Sequence, residues 1–577
     1  MALPVSIFNK RKYFYATLLL LLTVFLASIW AIYNATTFEN TRNNSILKPP
    51  ICSQKSGFYT TDALIELRHE NPQADIYFTT DGSIPNQQSL HYQKPFLLSE
   101  LVYSQLFNEK ISQKPTSPIW QKPTATNGTK SVNIRAVCYD KNKGFGSELT
   151  QFFFEGKNPF GTAPVVSLTV SPDDLFDYRT GIYVLGEQYF DKDFLTQDRL
   201  NMPQWAFYRL PANYKKRGSE WTKNANFEYL LNNKSLINQA VSIKIKGQAT
   251  RALPQKTLVV NFLDKPIEGI PLFEKSALPT KTERFQTILL RNAGGESYVN
   301  FIREELFQSC GDGLMPYQAY QPVVVFLNGE YWGLHNMREH WTVQNIALRL
   351  GIGAKDVDFL EVKDSKILCS DTSVYREFEV FLTALLDTKI GAKKDTDFIQ
   401  YIDKNIDLKQ FTDYLIVYLF TVNTDFPNNN VRLYRTKKNR WQFILYDGDF
   451  AFGGSGHPNR HQTNMIDYLC GIESNIITNL MLHLFENDDF RTQFCNRYNE
   501  LMAQNLSEKT LLNTLTRLST PIRPLMKDHI DRWKNPASMA EWEENLEQMR
   551  VFIRLRKRFA ALEIEQIKTL NFKIKKP

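Results

Sequence analysis

Two short stretches of the chain hold side chains that bond to hard cations and to hydroxyl protons. In the first, Asn423-Thr-Asp-Phe-Pro-Asn-Asn-Asn430, Asp425 and Asn430 stand five positions apart. In the second, Asp447-Gly-Asp449 runs into the glycine-rich Phe450-Ala-Phe-Gly-Gly454. Carboxylate and amide oxygens suit Mg²⁺ or Mn²⁺, and no clustered His or Cys suggests zinc. A further carboxylate beside such a pair can orient an incoming hydroxyl. The chemistry that needs both is phosphoryl transfer. An acidic turn that caps helices or holds structural Ca²⁺ is the plainer reading. The order and spacing of the four residues favour catalysis over it.

These residues need elements to position them. Leu408–Phe420 is apolar on most faces and reads as a buried helix that ends at the Asp425 loop. Val431–Thr436 and Trp441–Tyr446 read as a hairpin with the polar tip Lys437–Arg440, which delivers Asp447 and Asp449 at a strand end. Period-two alternation along Trp441–Asp449 sends both carboxylates to one face, toward Asp425 and Asn430. Two carboxylates so close repel unless a divalent cation lies between them, so Asp447→Asn is expected to leave metal-free stability unchanged or raised. Upstream, Ala240–Lys246 alternates apolar and basic residues, and Lys256 opens a second strand, so the two segments read as a hairpin. Ile288–Leu290 is a strand and Tyr298–Gln308 an amphipathic helix. Asn328-Gly329 marks a type I′ hairpin between Val323–Leu327 and Glu330–Asn336. The last 70 residues read as helical, with Trp533, Trp542, Leu546, Met549 and Ile553 on a packed face. Arg550, Arg554 and Arg556–Arg558 read as a solvated stripe.

An Asp, an Asn five residues on, a hairpin and a metal-binding Asp is the order of a protein-kinase catalytic loop and its metal segment. The match is partial. No His-Arg-Asp triplet is present, no GxGxxG precedes Lys256, and Ala451 follows Asp449-Phe450.

The chain has 577 residues, a net charge of +8, 43% hydrophobic residues and six cysteines. At roughly 150 residues per domain this is more than one domain. It is neither a disordered chain nor a disulfide scaffold, and no run of like charge suggests nucleic-acid binding. Lys10-Arg-Lys12 precedes the uncharged Tyr13–Tyr33. That run is long enough for a hydrocarbon core, has aromatic ends, and lacks an A-x-A cleavage pattern. It reads as an uncleaved, single-pass signal anchor, with residues 1–12 cytoplasmic and the large domain extracytoplasmic. Residues 34–50 form a stalk. Outside the cytoplasm Cys52 and Cys138 can pair, while the other four cysteines are buried thiols or one or two bridges. Asn34, Asn43, Asn127, Asn233 and Asn505 open N-x-S/T triplets, which matter only in a host that glycosylates.

Residues 51–156 show strand patterns. Ile76-Tyr-Phe-Thr-Thr-Asp-Gly-Ser-Ile-Pro, Ser89-Leu-His-Tyr, Pro95 and Val132-Asn-Ile-Arg-Ala resemble the chitobiase/β-hexosaminidase C-terminal domain. The resemblance implies an immunoglobulin-like β-sandwich, with Asn108–Thr129 as an insertion. Cell-surface carbohydrate is a candidate partner. A passive spacer is the favoured reading, because a fold alone does not carry a function.

Residues 164–577 resemble the CotH family of spore-coat protein H kinase-like proteins. The residues that carry this are Ile245-Lys-Gly-Gln-Ala-Thr-Arg, Pro254-Gln-Lys256, Leu290-Arg-Asn, Phe301-Ile-Arg-Glu, Phe326-Leu-Asn-Gly-Glu-Tyr-Trp-Gly-Leu, Glu339, Asn423–Asn430 and Tyr446–Gly453. The departures are Gly448, where a bulkier apolar residue is usual, and Asn429. The implied fold class is α+β, an atypical protein-kinase-like domain behind the β-sandwich module and one transmembrane helix. The implied activity is transfer of phosphate from ATP, with Mg²⁺ or Mn²⁺, to protein Ser or Thr outside the cytoplasm. The implied roles are Asp425 and Asp447 in catalysis, Asn430, Asp447 and Asp449 at the metal, and Lys256, Arg291, Asn292 and Glu339 at the nucleotide, with Glu339 pairing Lys256. Arg303 and Glu304 position nucleotide or anchor the core. His335, His340, His457 and His461 read as hydrogen-bonded residues, the last two also as candidates for nucleotide contact. A kinase-like envelope adhesin or scaffold without activity is the alternative.

Overall fold

A computed structural model describes residues 47–569 except 61–62, 106–110, 124–128, 192–202, 269–272, 274–282, 295–300, 365, 370, 387–395, 438, 455–458 and 473–474. The cytoplasmic tail, the anchor, most of the stalk, Asn34, Asn43, Asn127 and His457 lie outside the described residues. No described helix is long and apolar enough to cross a membrane.

The chain mixes α and β structure. The first unit is a five-stranded sheet of β1 (Gly57–Tyr59), β2 (Asp75–Thr79), β3 (Leu90–His91), β4 (Lys130–Asp140) and β5 (Gly144–Glu155), ordered β1-β5-β4-β2-β3. Two short ladders, Ile51–Cys52 with Leu67–Arg68 and Leu64–Ile65 with Phe96–Leu97, accompany it. Cys52 and Cys138 both face its core yet are free thiols, as are the other four cysteines, so no bridge forms.

The second unit is a closed barrel of β6 (Val165–Val170), β7 (Lys223–Leu231), β8 (Lys234–Lys246), β9 (Thr257–Phe262), β10 (Thr287–Arg291), β11 (Tyr320–Leu327) and β12 (Glu330–Glu339). Its order is β6-β7-β8-β9-β10-β12-β11, closed by the parallel β6–β11 pair. Alternation decides what points where. Val241, Ile243, Ile245, Leu258, Val260, Ile288 and Leu290 fill the interior. The opposite parity puts Lys246, Thr257, Thr287, Arg291, Asn336 and Arg338 on the outer face, in register with one another. Asn328 and Gly329 both take positive φ, as the β11–β12 turn requires.

That outer face packs on a helical half. The buried α1 (Arg303–Ser309) lies against it. A four-stranded sheet, ordered β14-β13-β15-β16, consists of β13 (Val357–Lys363), β14 (Lys366–Leu368), β15 (Val431–Thr436) and β16 (Gln442–Ile444). The helix α2 (Leu408–Thr421) is buried almost throughout, and α3 (Glu508–Trp533) and α4 (Met539–Thr569) close the domain. One residue of the basic run departs from the solvated stripe. Arg556 is fully buried, pairs with Glu563 at 2.6 Å, and donates to the carbonyls of Leu419, Phe420, His461 and Thr463. It thereby covers the last carbonyls of α2, which helix geometry leaves without partners.

The N-terminal unit packs directly on the barrel. Phe154 stacks on Phe58 at 4.1 Å and meets Phe326 of the barrel at 4.9 Å, and Phe152 meets Phe326 at 5.3 Å. Ser131 Oγ donates to Gly329 O (2.7 Å), Thr169 Oγ1 to Asn133 Oδ1 (3.0 Å) and Asn238 Nδ2 to Thr150 O (2.9 Å). The two units share one core cluster. Phe154→Ala should therefore destabilise the whole chain by about 3–5 kcal/mol. Thermal unfolding followed separately in each unit should show both transitions falling together. A shift confined to the N-terminal unit would contradict the shared core.

Candidate active site

The site forms where the outer barrel face meets the end of α2 and the strand β16. Arg291, at the end of β10, lies at its centre. Its Nε is 2.7 Å from Glu304 on α1, and its Nη2 is 2.7 Å from Asp447 and 3.2 Å from Asp449. Burial works against the guanidinium charge, but Glu304, Asp447 and Asp449 outweigh it and hold its pKa well above the ordinary arginine value. Glu304 also pairs with Arg338, which pairs with Glu305, so a fully buried ion network backs the site.

Asp447 and Asp449 do converge, though not by regular alternation. The strand stops at Ile444, and Asp447 takes φ +54°. Tyr418 Oη holds the carbonyl of Tyr446 at 3.0 Å and Asn423 Nδ2 that of Asp447 at 3.1 Å, which fixes this bend from the α2 side. Gly448 is a steric necessity, since a Cβ there would overlap the Phe307 ring. The two carboxylates are held by a guanidinium, so loss of the Asp447 charge removes an ion pair instead of relieving repulsion. The expectation of unchanged or raised stability in Asp447→Asn is corrected accordingly.

Asp425 is half-buried in the loop after α2, opposite this pair. Its Oδ1 accepts from Asn429 Nδ2 at 3.1 Å and its Oδ2 from Asn430 Nδ2 at 2.6 Å. Burial raises its pKa, the Asn429 amide opposes the rise, and the charge of Asp447 adds to it. A carboxylate so placed is a better proton acceptor than a free one. The nitrogen of Asn430 is committed to Asp425, so its carbonyl oxygen is the ligand atom it would offer. Among the described residues no three His, Cys, Asp or Glu side chains form a metal cage. Mg²⁺ needs none, because it keeps waters and takes one or two carboxylates with phosphate oxygens. Asp447 and Asp449 are such a pair, and the donor set fits.

Three nucleotide assignments are corrected. Lys256 precedes Leu258 by two residues, and parity sends it to the inner side of the barrel. Its Nζ donates to the carbonyls of Thr116 (2.9 Å), Arg251 (2.8 Å) and Leu253 (2.8 Å), which uses all three ammonium protons. It lies 3.9 Å from the Tyr214 ring centroid, and burial pushes its pKa down. Glu339 has the same inner parity. It pairs with Arg349 and accepts from Ala319 N at 2.9 Å, and does not meet Lys256. Asn292 is tied to Thr257 Oγ1 at 2.8 Å and to the carbonyl of Gln255, joining β9 to β10. Arg303 is buried, and His461 is buried against Phe559.

Near Arg291 stand basic residues that sequence reasoning missed. Lys246 Nζ is 2.6 Å from His340 Nε2, and His340 Nδ1 is 3.1 Å from Thr287 Oγ1. Burial and the Lys246 charge hold the His340 pKa well below its ordinary value, so the ring is neutral and accepts from the ammonium. Burial, then the charges of Arg432, Lys244 and Arg291 against that of Glu361, push Lys246 down to about 7. Arg432 lies 3.5 Å from the Tyr446 ring centroid and pairs with Glu361 at 3.1 Å. Arg432 is close enough to feel the Asp447 charge, and Lys246 lies near Arg432 and Arg291. The signal was present in the Ala240–Lys246 alternation, whose basic residues all share the outer parity.

The sequence model of the family described as CotH kinase protein matches residues 243–560, and that of the chitobiase/beta-hexosaminidase C-terminal domain matches residues 54–104. No curated protein matches the chain.

The network makes one outcome specific. Arg291→Met should destabilise the fold by about 3–5 kcal/mol, because it leaves buried carboxylates without their cation. Adding Asp447→Asn should recover part of that loss, whereas Asp447→Asn alone should lower stability. Urea unfolding of the three variants measures the coupling, and additive effects would contradict it.

Proposed function

Because the chain belongs to the CotH kinase protein family, we propose that it transfers the terminal phosphoryl group of ATP to a Ser or Thr hydroxyl of a protein substrate outside the cytoplasm. The observation that carries this reading is the convergence of Asp447 and Asp449 on one Arg291 nitrogen, with Asp425 close enough to feel the Asp447 charge.

Each role follows from chemistry. Asp447 and Asp449, with the Asn430 carbonyl oxygen, would hold Mg²⁺ or Mn²⁺. The bound ion would supply charge neutralisation of the phosphates. Lys246 and Arg432 meet phosphate oxygens as cations, the role first given to Lys256. Arg291 keeps the carboxylate pair aligned before any ligand arrives. Asp425 accepts the proton of the attacking hydroxyl, and its raised pKa suits that task. Asn429 and Asn430 fix the plane of its carboxylate. The protein substrate, the choice of Ser or Thr and the place of the reaction rest on the family likeness and on the N-terminal Tyr13–Tyr33 run.

Purified residues 34–577 should transfer label from ATP to themselves or to a basic Ser-rich peptide in the presence of Mg²⁺ or Mn²⁺. Asp447→Asn should abolish transfer and the metal-dependent part of nucleotide binding. Lys246→Ala should weaken nucleotide binding at least tenfold (about 1.4 kcal/mol). A wild-type protein with neither label transfer nor a nucleotide-dependent thermal shift would favour the inactive adhesin or scaffold.

The proposed topology is a single-pass membrane protein with its N-terminus in the cytoplasm. Protease added to intact cells should digest the large domain. Protection of that domain, or its release into the medium without residues 1–33, would contradict the anchor.

A further inference from the structure

Residues 111–120, within the insertion of the N-terminal unit, cross to the barrel and supply part of the cage around Lys256. Ile111 N donates to Glu330 Oε1 at 2.6 Å, and Trp120 packs against the barrel core. Between them Thr116 and Ser117 are buried. Thr116 Oγ1 donates to Pro254 O (2.8 Å), Ser117 Oγ to Ala252 O (2.6 Å), and the Thr116 carbonyl is one of three acceptors for Lys256 Nζ.

The turn held in this way runs from residue 251 to 256, and it leads back to the site. Arg251 on that turn donates to the carbonyls of Ile245, Tyr214 (2.7 Å) and Lys216 (2.8 Å). Arg217 donates to Gly247 O at 3.1 Å. The peptide that precedes Lys246 is therefore held by Arg251, which sits on the turn that the insertion closes, and the carbonyl of the next residue, Gly247, is held by Arg217. Lys246 is also the last paired residue of β8, opposite Thr257, which directly follows Lys256.

We propose that Thr116 and Ser117 are positioning residues for the phosphate-facing Lys246, so that the insertion of the N-terminal unit is a working part of the kinase site. This rests on the role given to Lys246 above. The route is a chain of hydrogen bonds. The two hydroxyls hold the carbonyls of Ala252 and Pro254, Lys256 gathers the carbonyls of Arg251 and Leu253, and Arg251 then sets Ile245 and its neighbour. Removal of a buried hydroxyl leaves a carbonyl without its donor and loosens the turn at the Lys246 end.

The test uses residues 34–577 with Thr116→Val and Ser117→Ala, and two readouts. The first is the pH profile of amine labelling at Lys246, read by mass spectrometry without any nucleotide. In the wild type its midpoint should lie near 7. In each variant it should move up by at least about one pH unit, as the lysine gains solvent. The second is Mg²⁺-ATP affinity, which should fall about tenfold. Thr116→Ser, which keeps the hydroxyl, should restore both. Lys48→Ala, an exposed change at the end of the stalk, should alter neither. A folded Thr116→Val or Ser117→Ala protein with the wild-type labelling profile and affinity would overturn the proposal. If one variant does not fold, the other decides. If the wild type binds no ATP, the kinase reading falls, and the labelling profile still decides whether the insertion sets Lys246.

Discussion

A single guanidinium gathers three carboxylates from two separate segments. Arg291 reaches Glu304 from α1 and both Asp447 and Asp449 from the loop after β16. Without that cation three negative charges would face one another in a buried setting, and each would seek protonation or solvent. With it the barrel, the helix and the loop are held to one geometry. The network extends behind it through Arg338 to Glu305, where every member is buried and paired. Such a network adds little net stability compared with an apolar core, but removal of one partner is heavily unfavourable. It therefore acts more as a specification of position than as a source of stability.

The opposite wall of the site is fixed from farther away. Arg556 on the C-terminal helix α4 binds the last carbonyls of α2, immediately before the loop that carries Asp425. Tyr468 Oη takes the carbonyl of Thr424, and Asn423 ties the same loop to the Asp447 backbone. Asp425 and the Asp447–Asp449 pair thus belong to one hydrogen-bonded frame, although more than twenty residues separate them in the chain. Several of the residues that fix this wall lie outside it. Their work is to deny the functional side chains any other arrangement.

The N-terminal unit belongs to the same frame. Its aromatic strand β5 completes the core at Phe326, and its insertion supplies an acceptor to Lys256. A buried ammonium with three carbonyls and two tyrosine rings is a structural keystone.

The elements were legible in the chain without its tertiary structure. Periodicity was enough to place the β8–β9 hairpin, the buried α2, the Asn328-Gly329 turn and the terminal helices, because apolar spacing follows the local repeat. The types and order of Asp425, Asn430, Asp447 and Asp449 already pointed to hard-cation and hydroxyl chemistry. What the tertiary structure alone decided was which charges meet. Lys246 and Lys256 are both basic residues in one hairpin, and nothing in composition separates them. Strand parity sends one outward to Arg432 and Arg291 and the other inward to backbone carbonyls. Glu339 and Glu304 exchange roles for the same reason: the first has inner parity, and the second lies on a helix packed against the outer face. Arg556 looked solvated beside its basic neighbours, yet its turn of α4 faces the end of α2. Pairing between distant charges depends on the closure of the barrel and on the packing of helices over it, and no local pattern in the sequence encodes that closure.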